Sequence, residues 1–222
     1  MMQELKRLEA DYIVYMLLLL FTAIISMIRY KRLTPAFKVT AILMPITFVD
    51  ETVAKVLART VHNNLICSHI LRLFEFTLVS LTYYHFLEDE RIKKVIRVLI
   101  PVYCFFVILN AVYIQRGKFA SNSILIGLIA FIVYAILSYK QLILTSEEKS
   151  LTMQPIFWNS TAWLLFGSTV FLKFGLQNYF VAHHINQDIL YDLLTYMNIL
   201  LYSLILVAIL IDKNEKRRFG YQ

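Results

Sequence analysis

The sequence predicts an all-α membrane helix bundle, a fold class indicated by its composition, its hydropathy and the placement of its charges. Of the 222 residues, 59% are hydrophobic and 17% are charged, and the mean hydropathy is +0.64. A soluble domain usually carries about 25% charged residues. The composition therefore argues against a soluble protein, a disordered chain and a nucleic-acid-binding protein, despite the net charge of +7. Five glycines and four prolines are too few for a β-rich or loop-rich chain.

Seven apolar stretches predict seven transmembrane helices. Each has about the length, roughly 20 residues, that a helix needs to cross a bilayer. Leu, Ile, Phe and Val dominate without strict alternation, which favours helices, because transmembrane strands alternate between lipid-facing and interior residues. The spans and their connections use most of the chain, so we expect a single transmembrane domain over 1–222. The predicted spans are 12–29, 38–58, 66–87, 95–115, 121–142, 155–176 and 188–211.

Charged or polar clusters justify the boundaries of the spans in chain order. The first span has acidic residues before it and a basic cluster after it, which indicates a retained anchor and not a cleaved signal peptide. Each later boundary also coincides with a polar cluster, so the spans are clearly separated. In order, the clusters lie at 29–32, 59–64, 88–91, 116–118, 146–149 and 183–184.

The distribution of Lys and Arg predicts the orientation in the membrane. Cytoplasmic loops carry an excess of these residues. The first, third and fifth loops and the C-terminal tail, with the adjacent span ends, hold fourteen of them, whereas the opposite side holds five. We therefore predict the N-terminus outside and the C-terminus in the cytoplasm, in agreement with an odd number of spans. The fourteen are Arg29, Lys31, Arg32, Lys38, Arg91, Lys93, Lys94, Arg97, Lys140, Lys149, Lys213, Lys216, Arg217 and Arg218, and the five are Lys6, Arg7, Arg59, Arg116 and Lys118.

Charged residues inside the predicted spans indicate a candidate binding site. Each costs about 2.5–3.5 kcal/mol at the centre of a span, so such side chains are expected to face the bundle interior and to pair. Their depth places them, together with uncharged polar residues, at the middle and in the outer half of the membrane. There they would line a polar cavity open to the outside. The charged residues are Asp50, Glu51, Lys55, Arg72, Glu75, Lys173 and Asp192, and the predicted ligand-binding residues are Asp50, Glu51, Arg72, Glu75, Asn110, Lys173, Asp192 and Asn198.

Helical spacing predicts ion pairs on the second and third spans. Arg72 and Glu75 are three residues apart, and Glu51 precedes Lys55 by four, which is the favourable order. One interpretation is that the paired groups only neutralise each other inside the bundle and bind no ligand. In the other, Arg72 binds a carboxylate or phosphate, with Glu75 as its resting partner. Pro45 removes a backbone hydrogen bond less than two turns before Glu51 and is expected to kink that helix.

The seventh span carries a polar stripe. At about 100° per residue its polar side chains cover about a third of the helix circumference. Hydrogen bonds to neighbouring helices are one interpretation of the stripe, but Asp192 requires a cation or a raised pKa. We predict Lys173 on the sixth span as the counter-charge of Asp192 or Asp50. The stripe consists of Asp188, Tyr191, Asp192, Thr195, Asn198 and Tyr202.

No cofactor or metal motif is recognised in the sequence. The histidines lack the His-x-x-x-His and His-Glu-x-x-His spacings that hold Zn²⁺ on one helix face. A buried lysine can form a Schiff base with a chromophore, but retinal proteins place that lysine on the seventh helix and Lys173 lies on the sixth. We therefore predict neither a cofactor nor a metal site.

Three segments carry a resemblance to a known group of proteins. They are His69-Ile-Leu-Arg-Leu-Phe-Glu-Phe76, Asn159-Ser-Thr-Ala-Trp-Leu-Leu-Phe-Gly-Ser168 and Met197-Asn-Ile-Leu-Leu-Tyr-Ser203. The chain resembles small, uncharacterised bacterial seven-helix integral membrane proteins over nearly its whole length. The resemblance implies the same topology and a bacterial inner (cytoplasmic) membrane, and it transfers no chemistry.

Four functions are compatible with these features, and a receptor-like membrane sensor is favoured. In this hypothesis a small polar or amphiphilic ligand binds the outer-half pocket, and helix movement is relayed to a cytoplasmic signalling protein. An ion or small-molecule channel or transporter is the first alternative, although no inverted repeat is found. An intramembrane enzyme acting on lipid lacks a nucleophile–base pair, and the fourth alternative is an accessory subunit. The lipid bilayer is a predicted partner, nucleic acid is not, and the oligomeric state stays open.

Overall fold

The chain folds into seven α-helices in the computed structural model, which describes residues 2–145, 150–183 and 188–213. The prediction of an all-α fold is confirmed, and each predicted span overlaps one helix, although α1 begins ten residues before the first span, α6 ends six residues after the sixth, and the fourth span extends through the turn Asn110–Ile114. His184, Lys149 and the basic residues after Lys213 lie outside the described residues, as do the side chains of Asp188 and Tyr191. The helices are α1 (Met2–Arg29), α2 (Pro35–Thr60), α3 (Leu65–Phe86), α4 (Glu90–Leu109), α5 (Ser121–Thr145), α6 (Pro155–Ala182) and α7 (Asp188–Ile211).

Five of the helical segments are long and apolar enough to cross a membrane, which indicates an integral membrane protein. Large apolar side chains such as Leu17, Val98 and Phe105 are more than half exposed on the outer faces of α1 and α4, as expected for contact with lipid. The other two helices, α2 and α6, are not among the segments that meet this criterion within the described residues. The five segments are Ala10–Arg32, Leu65–Phe86, Glu90–Ile114, Ser121–Thr145 and Asp192–Ile211.

Six helices form a closed ring in the order α1, α2, α3, α5, α6 and α7, and α7 packs back against α1. The helix α4 lies outside this ring, against α3 and α5. One end of the ring is joined by Asp212, whose carboxylate accepts hydrogen bonds from the Thr34 amide (2.7 Å) and hydroxyl (3.2 Å). Burial raises the pKa of Asp212, although the bonds from Thr34 oppose this rise.

Local sequence signals explain several helix boundaries and irregularities. Pro35 occupies the first turn of α2, where its missing amide proton costs nothing. Asp89 precedes α4, and its carboxylate accepts a hydrogen bond from the Arg91 amide at 2.8 Å, as a helix cap does. Pro45 lies inside α2 and Pro101 inside α4, each at a point where a backbone hydrogen bond is removed. The wide helical turn Asn110–Ile114 ends the fourth span.

Close packing between α3, α4 and α5 depends on one glycine. The ring of Tyr103 stacks on Phe76, with centroids 3.7 Å apart, and the Tyr103 hydroxyl donates to the Ser123 carbonyl at 2.7 Å. A Cβ atom added at Gly127 would lie 3.0 Å from that hydroxyl oxygen. Glycine therefore provides the space that Tyr103 occupies, as small residues do where membrane helices approach closely.

A chain of buried hydroxyl groups connects α3, α6 and α5. Tyr83 donates to Ser160 at 3.2 Å, and Ser160 and Ser138 lie 2.6 Å apart. Because Ser138 donates its own proton to the Ala135 carbonyl at 2.8 Å, Ser160 must be the donor to Ser138. All three hydroxyl groups therefore donate in one direction, toward α5.

Replacement of Ser160 by alanine is expected to lower the free energy of unfolding by about 1–3 kcal/mol, because the buried Tyr83 and Ser138 hydroxyl groups each lose a partner. Chemical unfolding in mixed micelles measures this loss. The exposed Ser150, whose hydroxyl group lies 2.9 Å from that of Thr152, provides the control, and its replacement by alanine should leave the stability unchanged. Equal stabilities of the two variants would contradict a structural role for the hydroxyl chain.

Candidate functional site

The central feature of the candidate site is an ion pair between Arg72 and Glu75 on α3. The guanidinium group of Arg72 contacts the carboxylate of Glu75, and the side chains are only 15% and 11% exposed. The pair predicted from the spacing of these residues is therefore confirmed. Burial of a charge costs free energy unless an opposite charge or hydrogen bonds compensate it. The environment of the pair therefore determines what the site can bind.

Two acidic residues of α2 lie near this pair. Arg72 and Glu75 are both within electrostatic range of Asp50 and Glu51. We call Asp50, Glu51, Arg72 and Glu75 the charged cluster. It contains three carboxyl groups and one guanidinium group. Lys55 is exposed and farther out, with its ammonium group 4.1 Å from the centroid of the Tyr12 ring, although it is still within electrostatic range of Glu51.

Three buried tyrosines surround the charged cluster. Tyr103 on α4 and Tyr202 on α7 lie within electrostatic range of Arg72, and Tyr15 on α1 lies near Glu51. The rings of Tyr15 and Tyr202 are 5.8 Å apart. Five helices therefore contribute to one site. The sequence offered a signal for one of these tyrosines, the place of Tyr202 in the polar stripe of α7.

Two polar atoms at the charged cluster are buried without a hydrogen-bond partner among the described residues. They are Nε of Arg72 and the hydroxyl oxygen of Tyr15, which lies close to the Glu51 carboxylate and the Tyr202 hydroxyl but forms no hydrogen bond of good geometry with either. Tyr15 itself is 3% exposed. Buried polar groups in folded proteins are almost always hydrogen-bonded to protein or to water. The cluster therefore has hydrogen-bonding capacity that a polar ligand or water molecules can use.

Asn110 belongs to a polar network at the α4–α5 connection. Its side-chain amide donates to Gln115 at 2.8 Å and to Ser123 at 3.1 Å, and its carbonyl oxygen lies 3.4 Å from the Asn122 amide nitrogen. These bonds link the end of α4 to the start of α5. Ser123 also accepts the hydrogen bond from Tyr103, so this predicted ligand-binding residue borders the tyrosines of the charged cluster and bonds to none of its charged groups in the described part of the chain.

The other three predicted site residues lie on α6 and α7. Lys173 is 8% exposed, and its ammonium group lies 5.0 Å from the centroid of the Phe174 ring. Asp192 and Asn198 are half-buried on α7, with Asn198 one turn before Tyr202. The binding roles of all three stay predictions.

The described residues do not form a metal centre. Across 2–145, 150–183 and 188–213, no group of three His, Cys, Asp or Glu side chains is arranged to hold a metal ion. His69, which belongs to the resemblance segment on α3, lies with Nε2 3.1 Å from the Lys118 carbonyl oxygen. This contact connects α3 to the segment before α5.

Comparison of the chain with known protein families, with characterised proteins and with solved structures finds no significant match. The resemblance to bacterial seven-helix proteins therefore stays a prediction. The charged cluster, with its surplus of carboxyl groups and its two unpartnered polar atoms, is the feature from which a function is argued.

Proposed function

We propose that this protein is a receptor-like sensor with seven membrane spans, an outer N-terminus and a cytoplasmic C-terminus, in a bacterial inner membrane. Its ligand is a small polar molecule that carries a cationic group and binds at the charged cluster. The observation that carries the proposal is the placement of three carboxyl groups, one buried and two half-buried, around one guanidinium group, beside two polar atoms without a hydrogen-bond partner among the described residues.

The charges of the cluster favour a cationic ligand. Arg72, the cation near both Asp50 and Glu51, is already engaged with Glu75, and Glu51 has in addition only the more distant, exposed Lys55 within electrostatic range. A positive group placed between α2 and α3 would compensate the negative charge of the remaining carboxylates. In a medium of low dielectric constant, a cation stabilises such carboxylates more strongly than water does. The unpartnered Tyr15 hydroxyl and Arg72 Nε would then bind the polar part of the same ligand.

The proposed topology is supported by the placement of charge and by the helices themselves. In the sequence, fourteen Lys and Arg residues fall in the loops and tail of one predicted side and five in those of the other. The helices α2 and α6, which are not among the five candidate segments, have 26 and 28 residues, which is long enough to cross a bilayer. Both belong to the closed ring, so their polar side chains can face protein instead of lipid.

Signalling would follow from the number of helices that meet at the site. A ligand shifts a conformational equilibrium only when it binds two states with different affinity. A cationic ligand would compensate the negative charge of Asp50 and Glu51 on α2 and of Glu75 on α3. It would therefore stabilise the arrangement in which these two helices are close together. At the proposed cytoplasmic side, α2 follows the short basic turn Tyr30–Arg32 and α3 is joined to α4 by the three residues 87–89, so we assign the next step to a separate cytoplasmic protein.

The proposal is tested with purified protein in lipid nanodiscs and with small probes of known charge. Ethanolammonium and choline should raise the melting temperature, whereas ethylene glycol and acetate, the neutral and anionic comparisons, should not. The shift should disappear in Glu51→Gln and Glu75→Gln, and it should persist in Glu88→Gln, which changes an exposed carboxylate in the α3–α4 turn. Equal shifts in all variants, or none with any cation, would overturn the proposal.

A second measurement separates sensing from transport. Spin labels at the exposed positions 85 and 140, in a variant with Cys67 and Cys104 replaced by alanine, report the distance between the ends of α3 and α5. A sensor should change this distance by about 1–2 Å or more when a stabilising cation binds. Accumulation of that cation inside proteoliposomes, at an unchanged distance, would contradict sensing and favour a transporter.

A further inference from the structure

A groove of about 450 Å³ lies between α2 and α3. Several of its side chains are well exposed, including Val49 (59%), Ile70 (44%) and Phe74 (47%), so in a membrane they face lipid. The interior proline of α2, Pro45, contributes to its wall. The groove is lined by Pro45, Ile46, Val49, Asp50, Val53, Cys67, Ile70, Leu71 and Phe74.

Asp50 is the single charged residue among those that line the groove. It is also a member of the charged cluster, within electrostatic range of Glu51, Arg72 and Glu75. This carboxyl group therefore connects the apolar groove with the polar interior. The only cation among those neighbours, Arg72, contacts Glu75 and not Asp50.

The depth of Asp50 restricts what can reach it. It lies ten residues before the end of α2, which corresponds to about 15 Å along the helix. Half of the hydrocarbon core of a bilayer is also about 15 Å thick. If α2 ends at the membrane surface, Asp50 lies near the midplane. To contact Asp50, the amine of a phospholipid would have to bring the rest of its polar headgroup into the hydrocarbon core. A single-chain amine has no other polar group to bury.

We propose that this groove binds an alkylammonium amphiphile, which enters from the lipid with its ammonium group at Asp50 and its chain along Val49, Ile70 and Phe74. The inference rests on the proposed function and adds to it the chemical class of the ligand and its route of entry. Complementary charge at one end and apolar contact along the rest make one occupant suitable for both parts of the groove. Its volume is within the range usual for small-molecule sites, about 300–1,000 Å³.

The probe is n-decylammonium, with n-decanol and decanoate as neutral and anionic molecules of the same chain length. Binding to the full chain in nanodiscs of zwitterionic lipid is measured by native mass spectrometry and by thermal unfolding. Decylammonium should bind more tightly than decanol, and Asp50→Asn should weaken its binding about tenfold or more. Equal binding of decylammonium and decanol, or unchanged binding to Asp50→Asn, would overturn the inference.

A second variant blocks the groove and leaves the carboxyl group in place. Val49→Trp should fill the space beside Asp50 and weaken decylammonium binding about tenfold. Val98→Trp adds the same ring to a lipid-facing position of α4, where Val98 is 62% exposed, and should leave binding unchanged. Asp50→Asn removes a charge and Val49→Trp fills space. Because they act in different ways, one of them that folds is enough to test whether decylammonium binds in the groove. Equal binding to Val49→Trp and Val98→Trp would contradict the groove as the site.

The two proposals fail in different ways. Loss of the preference for decylammonium, with the effect of choline or ethanolammonium retained, would overturn the groove and leave the sensor proposal standing. Decylammonium binding that depends on Asp50 and Val49, without any change in the distance between positions 85 and 140, would support the groove and contradict sensing.

Discussion

Replacement of Arg72 by alanine is expected to lower the free energy of unfolding by about 3–5 kcal/mol, because it leaves the buried carboxylate of Glu75 without its partner. Asp50 and Glu51 would lose the same nearby cation. The additional replacement of Glu75 by alanine removes one of these uncompensated charges, so the double variant should be more stable than Arg72→Ala alone. Unfolding titrations of the four proteins in mixed micelles give the coupling free energy directly.

The control for this cycle is a pair with the same spacing at the surface. Lys93 and Glu90 are also three residues apart and lie 2.9 Å from one another, but Glu90 is 69% exposed. Because an exposed ion pair is screened by solvent, Lys93→Ala should leave the unfolding midpoint unchanged. A loss in the double variant equal to the sum of the losses in Arg72→Ala and Glu75→Ala would show that the two side chains are not coupled.

Replacement of Gly127 by leucine is expected to destabilise the protein by about 1–3 kcal/mol, because the new side chain meets a ring that has no space to move. The Tyr103 ring is held between the Phe76 stack and α5, and a Cβ atom at Gly127 alone would approach the Tyr103 hydroxyl oxygen to 3.0 Å. The same unfolding titrations measure the loss. Val133→Leu enlarges a side chain on the lipid-facing side of α5, where Val133 is 46% exposed, and should have no effect.

A further pair of variants identifies the clash. Gly127→Ala adds one methyl group, and its cost should be smaller in the Tyr103→Phe background, where the hydroxyl oxygen is absent. If Gly127→Ala costs the same in both backgrounds, Tyr103 is not the group that requires glycine at this position.

Much of the fold could be predicted because a membrane helix appears in the sequence as a long apolar stretch. The apolar lengths predicted seven helices, and the charges between them predicted where each helix ends. The contact between Arg72 and Glu75 was also predictable, since residues three apart on a helix lie on one face. In these cases the structure depends on residues that are close in the sequence, so the sequence alone is enough to predict it.

The composition of the site depends on which helices become neighbours, and the sequence carries little information about that. Asn110 and Glu75 both lie inside the predicted spans, yet Asn110 bonds to residues at the α4–α5 connection because α4 lies outside the ring. Tyr15 reaches the charged cluster from α1 because the ring brings α1 against both α2 and α7. A tyrosine that packs in the core and one that faces a carboxyl group have the same hydropathy.

The most direct test of the account is an experimental structure of the full chain in a lipid nanodisc, determined with and without ethanolammonium. The account predicts that Arg72 contacts Glu75 inside the ring of helices, with Asp50 and Glu51 beside the pair, and that ethanolammonium adds density next to these carboxyl groups. A structure in which the carboxyl groups of α2 face a different surface from Glu75, with no added density between them, would contradict it.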